Sequence, residues 1–116
     1  MGFKEMAERE AEMRRTDYIL EKKVNLVSQT EDLCSSIYST FEKLHNDFPN
    51  SNLSNLYKAY KDKINDLKEV LKENNLFNDE IDSGLQMILD HSKSLDYSLY
   101  SRDINNLKKL MRGLVD

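Results

Sequence analysis

One uninterrupted stretch, Arg15 to Phe48, constrains the fold more than any other part of this chain. It contains neither glycine nor proline, and its apolar residues recur at steps of three and four. They form two neighbouring rows: Leu20, Val24, Val27, Cys34, Tyr38, Phe41 and Phe48 in one, and Ile19, Leu26, Leu33, Ile37 and Leu44 in the other. At about 100° per residue, the two rows cover roughly half of a helix circumference. This pattern predicts a central helix with a neighbour on each side.

The rest of the chain predicts an all-α, up-down bundle of three to four helices that forms one domain, residues 1–116. Pro49 ends the central helix, because the residue before a proline is steered away from helical angles. We expect a second helix over Leu53–Glu73. Its predicted inward residues are Leu56, Tyr57, Tyr60, Ile64, Leu67, Val70 and Leu71.

Two further helices are predicted in the last third of the chain. Asn78 is a good N-cap for the third, and the acidic residues that follow it suit a helix N-terminus. The fourth is expected over Tyr97–Arg112, with Gly113 at its end. One bent helix joining both is the alternative, since no proline or glycine separates them. Gly84 is expected to permit a close helix approach.

Residues 1–16 are predicted to be a charged helical extension of the domain. Their large apolar residues, Phe3, Met6 and Met13, continue the rhythm of three and four, which is typical of a coiled-coil seam or a free overhang. A helix from Phe3 to Phe48 would be about 68 Å long, much longer than the later helices. We therefore expect the N-terminal helix to project partly beyond the bundle.

Composition argues against several classes of protein. The chain carries 17 Lys and Arg against 21 Asp and Glu, a net charge of −4, which disfavours a nucleic-acid partner held by charge. A single cysteine allows no internal disulfide. No secretory signal is recognisable, and no segment approaches the roughly 20 apolar residues that span a bilayer. Cytoplasm is the expected compartment, with the nucleus as the alternative.

No constellation of residues predicts a chemistry. The two histidines, His45 and His91, have no second histidine or cysteine at ligand spacing. We expect His45 to be half-buried on the core face, His91 to be solvated, and Cys34 to be a small buried apolar residue. The sequence therefore predicts a protein without catalytic residues, metal or cofactor.

Partner binding is the more informative prediction. Six Tyr and four Phe are more than a core of this size must hide, and aromatic residues supply much of the energy at interfaces. The predicted partner-binding residues are Phe3, Met6, Met13, Tyr18, Tyr97, Tyr100, Leu110 and Leu114. Burial of the tyrosine rings, with their hydroxyls reaching water, is the alternative interpretation. The expected partner is a protein, and one candidate is a second copy of this chain.

Residues 37–112 resemble a known helical domain. The resemblance lies in the segments IYSTFEKL, YKAYKDKINDLKEVLKENNLFNDEIDSGLQMI and SLDYSLYSRDINNLKKLM. Its matching residues are Phe41, Leu44, Ile64, Leu67, Leu71, Leu76, Ile81, Gly84, Leu85, Ile88, Asp96 and Tyr97. The domain is shared by the C-terminus of the COPII outer-coat protein of the thirty-one type and the steroid receptor RNA activator protein. The resemblance implies a non-catalytic helical bundle used for assembly and partner contacts.

The predicted function is accordingly that of a protein–protein interaction module, an assembly or scaffold subunit in vesicle-coat or trafficking machinery. The alternatives are a small helical subunit of another complex, of the tethering, SNARE-regulatory or chromosome-associated kind, and an RNA-associated co-regulator. The basic pairs Arg14-Arg15 and Lys22-Lys23 prompt the last of these, and the acidic balance counts against it.

Overall fold

The computed structural model describes the backbone of residues 2–115 and the side chains of residues 18–115. Four helices follow one another along the chain: α1 (Gly2–Asp47), α2 (Ser54–Glu73), α3 (Asp79–Lys93) and α4 (Tyr97–Val115). The described part of the chain contains no β-strand. The all-α prediction is confirmed, and the last two elements are separate helices rather than one bent helix.

Local polar chemistry sets the helix boundaries. Asn78 has an extended backbone, and its side-chain oxygen accepts a hydrogen bond from the Ile81 amide at 2.9 Å, as predicted for an N-cap. Asp96 caps α4 in the same way, accepting from the Leu99 amide at 3.1 Å. Leu95 turns the chain between α3 and α4 with a positive φ of 57°. This left-handed residue, followed by a cap, ends α3 without glycine or proline.

Contacts between side chains give the helix directions. On α1, Tyr38 stacks on Tyr100 of α4, and Glu31 faces Arg112, so α1 and α4 run antiparallel. His91 of α3 pairs with Asp103 of α4, and Gly84 of α3 lies next to Leu107 of α4. These two helices are therefore antiparallel as well. The Lys68–Asp82 and Tyr57–Asp90 contacts show the same for α2 and α3. The up-down order is that of an antiparallel bundle.

The helices are not equivalent in the bundle. Both α1 and α3 contact all three other helices, whereas α2 and α4 do not touch in the described part of the chain. Helix α2 therefore lies on one side of the α1–α3 pair and α4 on the other. The core contains fully buried Cys34, Ile37 and Phe41 from α1, together with buried apolar side chains of α2, α3 and α4.

Helix α1 is longer than the part of it that the bundle covers. Its inward rows are buried at Leu26, Val27, Cys34, Ile37 and Phe41. The same rows are exposed at their ends, where the sequence predicted burial: Ile19, Leu20 and Val24 near one end and Phe48 at the other, between 47% and 63% exposed. The physical reason is that Val115, the last described residue of the antiparallel α4, lies near Val24 and Val27, so the described part of α4 does not cover Ile19 and Leu20.

Four further predictions, on packing and on the end of α4, have definite outcomes. Val70 is 39% exposed rather than inward, and α4 continues through Gly113 to Val115 rather than ending at the glycine. Gly84 does permit a close approach, because a Cβ there would lie 3.3 Å from Leu107 Cδ1. His45 is exposed rather than half-buried, since it lies in the last turn of α1, beyond the packed segment.

Replacing Phe41 by alanine tests whether the buried segment of α1 organises the core. Phe41 is fully buried against Tyr60 and its neighbours, so Phe41→Ala should lower the free energy of unfolding by about 3–5 kcal/mol. Phe48→Ala, directly after the same helix, is the matched control, and at 63% exposure it should change stability by about 0.5 kcal/mol or less. Urea unfolding followed by circular dichroism measures both. Equal losses would contradict this account of the core.

Candidate interaction surface

The clearest candidate for a functional surface is the apolar face of α1 where the helix leaves the bundle. Ile19, Leu20 and Val24 are 48%, 47% and 50% exposed. At about 100° per residue they fall within an arc of roughly 140°, which also contains the buried Val27. The exposed face is therefore a direct continuation of the stripe that α1 buries in the core. We call Ile19, Leu20 and Val24 the α1 face.

A cavity of about 310 Å³ lies at the base of the α1 face, where α1 and α4 separate. Its walls are Val24, Val27 and Ser28 of α1 with Arg112 and Val115 of α4. Glu31 closes it, and its Oε1 atom is buried without a hydrogen-bond partner, with Arg112 Nη2 3.8 Å away. The combination is an apolar notch with a polar floor, a shape that can receive an apolar side chain from outside.

The predicted partner-binding residues do not form one surface. Phe3, Met6 and Met13 lie outside the described side chains. Tyr18 is 65% exposed, but it lies about 160° around the helix from Leu20 and so is not part of the α1 face.

The predicted residues of α4 have different environments. Tyr97 is 63% exposed and Tyr100 only 8%. Both pack on Tyr38, Tyr97 edge-on at 5.5 Å between ring centroids and Tyr100 stacked at 4.6 Å. Tyr100 also donates a long hydrogen bond of 3.5 Å to the Cys34 carbonyl, and burial raises its pKa. The structure thus assigns Tyr100 to the core, which corrects its prediction as a surface residue, while Tyr97 remains accessible.

Leu110 and Leu114 are partly buried against the core rather than fully exposed. Leu110 lines a groove between α3 and α4 on the face of the bundle away from α1. Neither residue is near the predicted N-terminal partner residues along the chain, so the predicted set divides between different faces of the bundle.

Two polar clusters join neighbouring helices. In the first, His91 Nδ1 pairs with Asp103 Oδ2; Asp103 is 3% exposed, and Arg102 Nη2 lies 3.7 Å from its other oxygen. His91 is therefore part of an interhelical pair rather than simply solvated, as the sequence predicted. Asp103 is not among the residues predicted from the sequence, although it falls on the buried stripe of α4 with Tyr100, Ile104, Leu107 and Met111. A charged residue on such a stripe is the signal that could have revealed it.

The second cluster joins α2 to α3. The Tyr57 hydroxyl donates to Asp90 Oδ1 at 2.8 Å, and the Gln86 amide donates to both of these oxygens, at 2.8 and 3.0 Å. The hydrogen bond to the Asp90 carboxylate, followed by burial, raises the pKa of Tyr57. Lys93 lies over the Tyr57 ring, 4.9 Å from its centroid. Each donor in this cluster already has an acceptor, so the cluster serves to hold α2 against α3 through hydrogen bonds.

Cys34 is fully buried, as predicted, and has little reactivity as a thiol. Burial, with a smaller contribution from the nearby Glu31 carboxylate, raises its pKa to about 12. Among the described side chains no three His, Cys, Asp or Glu residues are grouped as metal ligands would be. No helix of the described chain is both long enough and apolar enough to cross a bilayer.

Comparisons with protein-family models, with curated proteins and with solved structures found no match to this chain. The resemblance of residues 37–112 to the coat-protein domain is therefore neither supported nor contradicted by them, and it stays a prediction.

A double-mutant cycle tests whether the His91–Asp103 pair holds α3 against α4. Asp103→Ala should cost about 1–3 kcal/mol at pH 7, because it removes the partner of a partly buried imidazole. The two single variants and His91→Ala/Asp103→Ala should give a coupling energy of about 0.5–3 kcal/mol in urea unfolding. Asp62→Ala, at an exposed position on α2, is the control and should be nearly neutral. A coupling energy near zero would mean that the pair does not stabilise the fold.

Proposed function

We propose that this chain is a non-catalytic helical interaction module that associates through the α1 face. One observation carries the proposal: Ile19, Leu20 and Val24 leave about half of their surface in water on a helix whose next turns are buried. Contiguous exposed apolar residues of this kind mark association sites more often than isolated ones do. They are not among the buried core residues, and the described part of α4 does not cover them.

The spacing of the α1 face favours a helix as the partner. Leu20, Val24 and Val27 follow the steps of four and three that coiled-coil seams use. Glu21 and Lys22 flank the face with opposite charges and are exposed, which is typical of the positions beside a seam. The notch beside Val24 and Val115 adds a socket for one side chain of the partner.

A second copy of α1 is the partner that this seam fits most simply. Identical seams place apolar residues at matching heptad positions, and symmetric pairs are the commonest oligomers of soluble proteins. In the sequence, the same apolar spacing continues back through Met13, Met6 and Phe3. A paired helix that included these residues would be longer than one formed by the α1 face alone. The module then acts as a dimerising assembly subunit.

Within this class, the finer proposal is a subunit of vesicle-coat or trafficking machinery. It rests on the resemblance of residues 37–112 to the coat-protein domain and on no other observation.

Replacing Leu20 and Val24 by glutamate separates association from folding. The unaltered chain of 13.6 kDa should elute as a dimer in size exclusion with light scattering. Leu20→Glu/Val24→Glu should elute as a monomer, because two charges on each seam oppose its burial. Its helix content and melting temperature at low concentration should be unchanged, since both residues are exposed.

Val70→Glu is the matched control, since Val70 is a similarly exposed apolar residue on α2, and it should remain dimeric. A monomeric unaltered chain at about 100 µM would refute the second copy as partner. Unfolding of the double variant would show that the α1 face belongs to the fold.

A further inference from the structure

The second surface of interest is a groove between α3 and α4 on the side of the bundle away from α1. It has a volume of about 350 Å³. Gly84, Met87, Leu107 and Leu110 form its apolar floor, and Asp79 and Glu80 stand on its α3 rim. Nothing in the α1 face or in its notch contributes to this groove.

The groove is open because of the way the helices are arranged. Helix α2 packs on α1 and α3 and does not reach α4, so it leaves the outer α3–α4 seam uncovered. Gly84 keeps the floor low, because the space where its Cβ would lie is only 3.3 Å from Leu107 Cδ1. Residues 79–87 of α3 run along the groove for about 12 Å, which matches two to three turns of a docked helix.

The floor has the chemistry of a helix-docking site. Met87 is 47% exposed, and its flexible thioether side chain can adapt to a partner surface. Leu110, on the α4 wall of the groove, is partly buried. Apolar floors of this kind bind the apolar face of an amphipathic helix through residues spaced by three and four.

Charge decides which helix would fit. Asp79, Glu80 and Asp103 line the groove, and no lysine or arginine lines it among the residues that the structure describes. The next acid, Asp82, is paired with Lys68 at 2.5 Å, whereas Asp79 and Glu80 form no ion pair with any described residue. Lys109 lies beside Leu110 on α4, and Arg102 Nη2 lies 3.7 Å from Asp103 Oδ1, so the acidic charge that is not paired with a described residue belongs to Asp79 and Glu80. The rim is thus acidic above an apolar floor.

We propose that the α3–α4 groove binds a basic amphipathic helix of a protein partner. The apolar face of that helix packs on Met87, Leu107 and Leu110, and its flanking lysine or arginine residues pair with Asp79 and Glu80. This site is separate from the α1 face, so the chain can associate through α1 and hold a partner segment in the groove at the same time.

A model peptide tests the proposal on the full-length chain. The probe is a fluorescein-labelled 14-residue peptide with Leu at i, i+3, i+4 and i+7 positions and Lys elsewhere; its comparison peptide has Glu for every Lys. Fluorescence anisotropy should show saturable binding of the Lys peptide, weakened by added salt, and at least about tenfold weaker binding of the Glu peptide.

Two groove variants and two matched controls locate the binding site. Met87→Gln should weaken binding of the Lys peptide by about tenfold, because it replaces an apolar contact by a neutral polar one, and Glu80→Lys should weaken it by about fivefold, because it replaces attraction by repulsion. Val70→Gln and Asp62→Lys introduce the same side chains at exposed α2 positions and should alter binding less than about twofold. Circular dichroism melts should show that all four variants are folded.

The results that overturn the proposal are equally specific. Equal weakening by the groove variants and the α2 controls would mean that the peptide follows overall charge rather than the groove. Tighter binding of the Glu peptide would exclude a basic partner. If the Met87 methyl NMR signal shifts with protein concentration alone, the groove binds a second copy of the chain. If the signal does not shift when the Lys peptide is added, the peptide does not bind in the groove.

Discussion

The packing of residues 26–41 of α1 against the other three helices is the contact on which the rest of the structure depends. Cys34, Ile37 and Phe41 have no exposure at all, and they lie where α1 meets α3, with α2 on one side and α4 on the other. The short helix α3 packs against α1 and also contacts α2 and α4. Because α2 and α4 do not touch, the two helices cannot hold each other, and the α1–α3 pair is what joins them. The exposed surfaces follow from this arrangement. The described part of α4 does not cover Ile19, Leu20 and Val24 of α1, and α2 leaves the α3–α4 groove uncovered.

Sequence reasoning predicted local features well, because each depends on residues close in the chain. Asn78 as an N-cap, the break at Pro49 and the burial of Cys34 and Phe41 all follow from short-range chemistry or helical spacing. The same spacing failed at Leu20, Val24, Phe48 and Val70. A periodic pattern shows which face of a helix is apolar, but the length of the neighbouring helix decides how far along that face burial extends. The prediction that α4 ends at Gly113 was wrong for a related reason, since a glycine permits a helix to end but does not require it.

The candidate sites were less predictable than the fold, because they depend on contacts between helices. Tyr97 and Tyr100 are equivalent in sequence, yet one is accessible and the other lies under Tyr38. The His91–Asp103 pair needs the turn at Leu95 to bring α3 and α4 side by side. The acidic groove likewise requires knowing that α2 docks on α1 and α3 rather than on α4. The two candidate surfaces differ in chemistry: α1 has an exposed apolar face, and α3 and α4 form an acid-rimmed groove, so the proposed partners would bind to different faces of the bundle.

Native-state hydrogen exchange is the most direct test of the central role of the α1–α3 pair. Amides of α1 between Thr30 and Phe41, together with those of α3 and α4, should exchange only through global unfolding, as one cooperative unit. Those of α2 should exchange at a lower free energy, through local opening, because α2 packs less extensively on α1 and α3 than α4 does. That pattern would confirm that α1, α3 and α4 form the core unit on which α2 depends. Exchange of α2 at the global limit, with α1 or α4 opening first, would contradict the account.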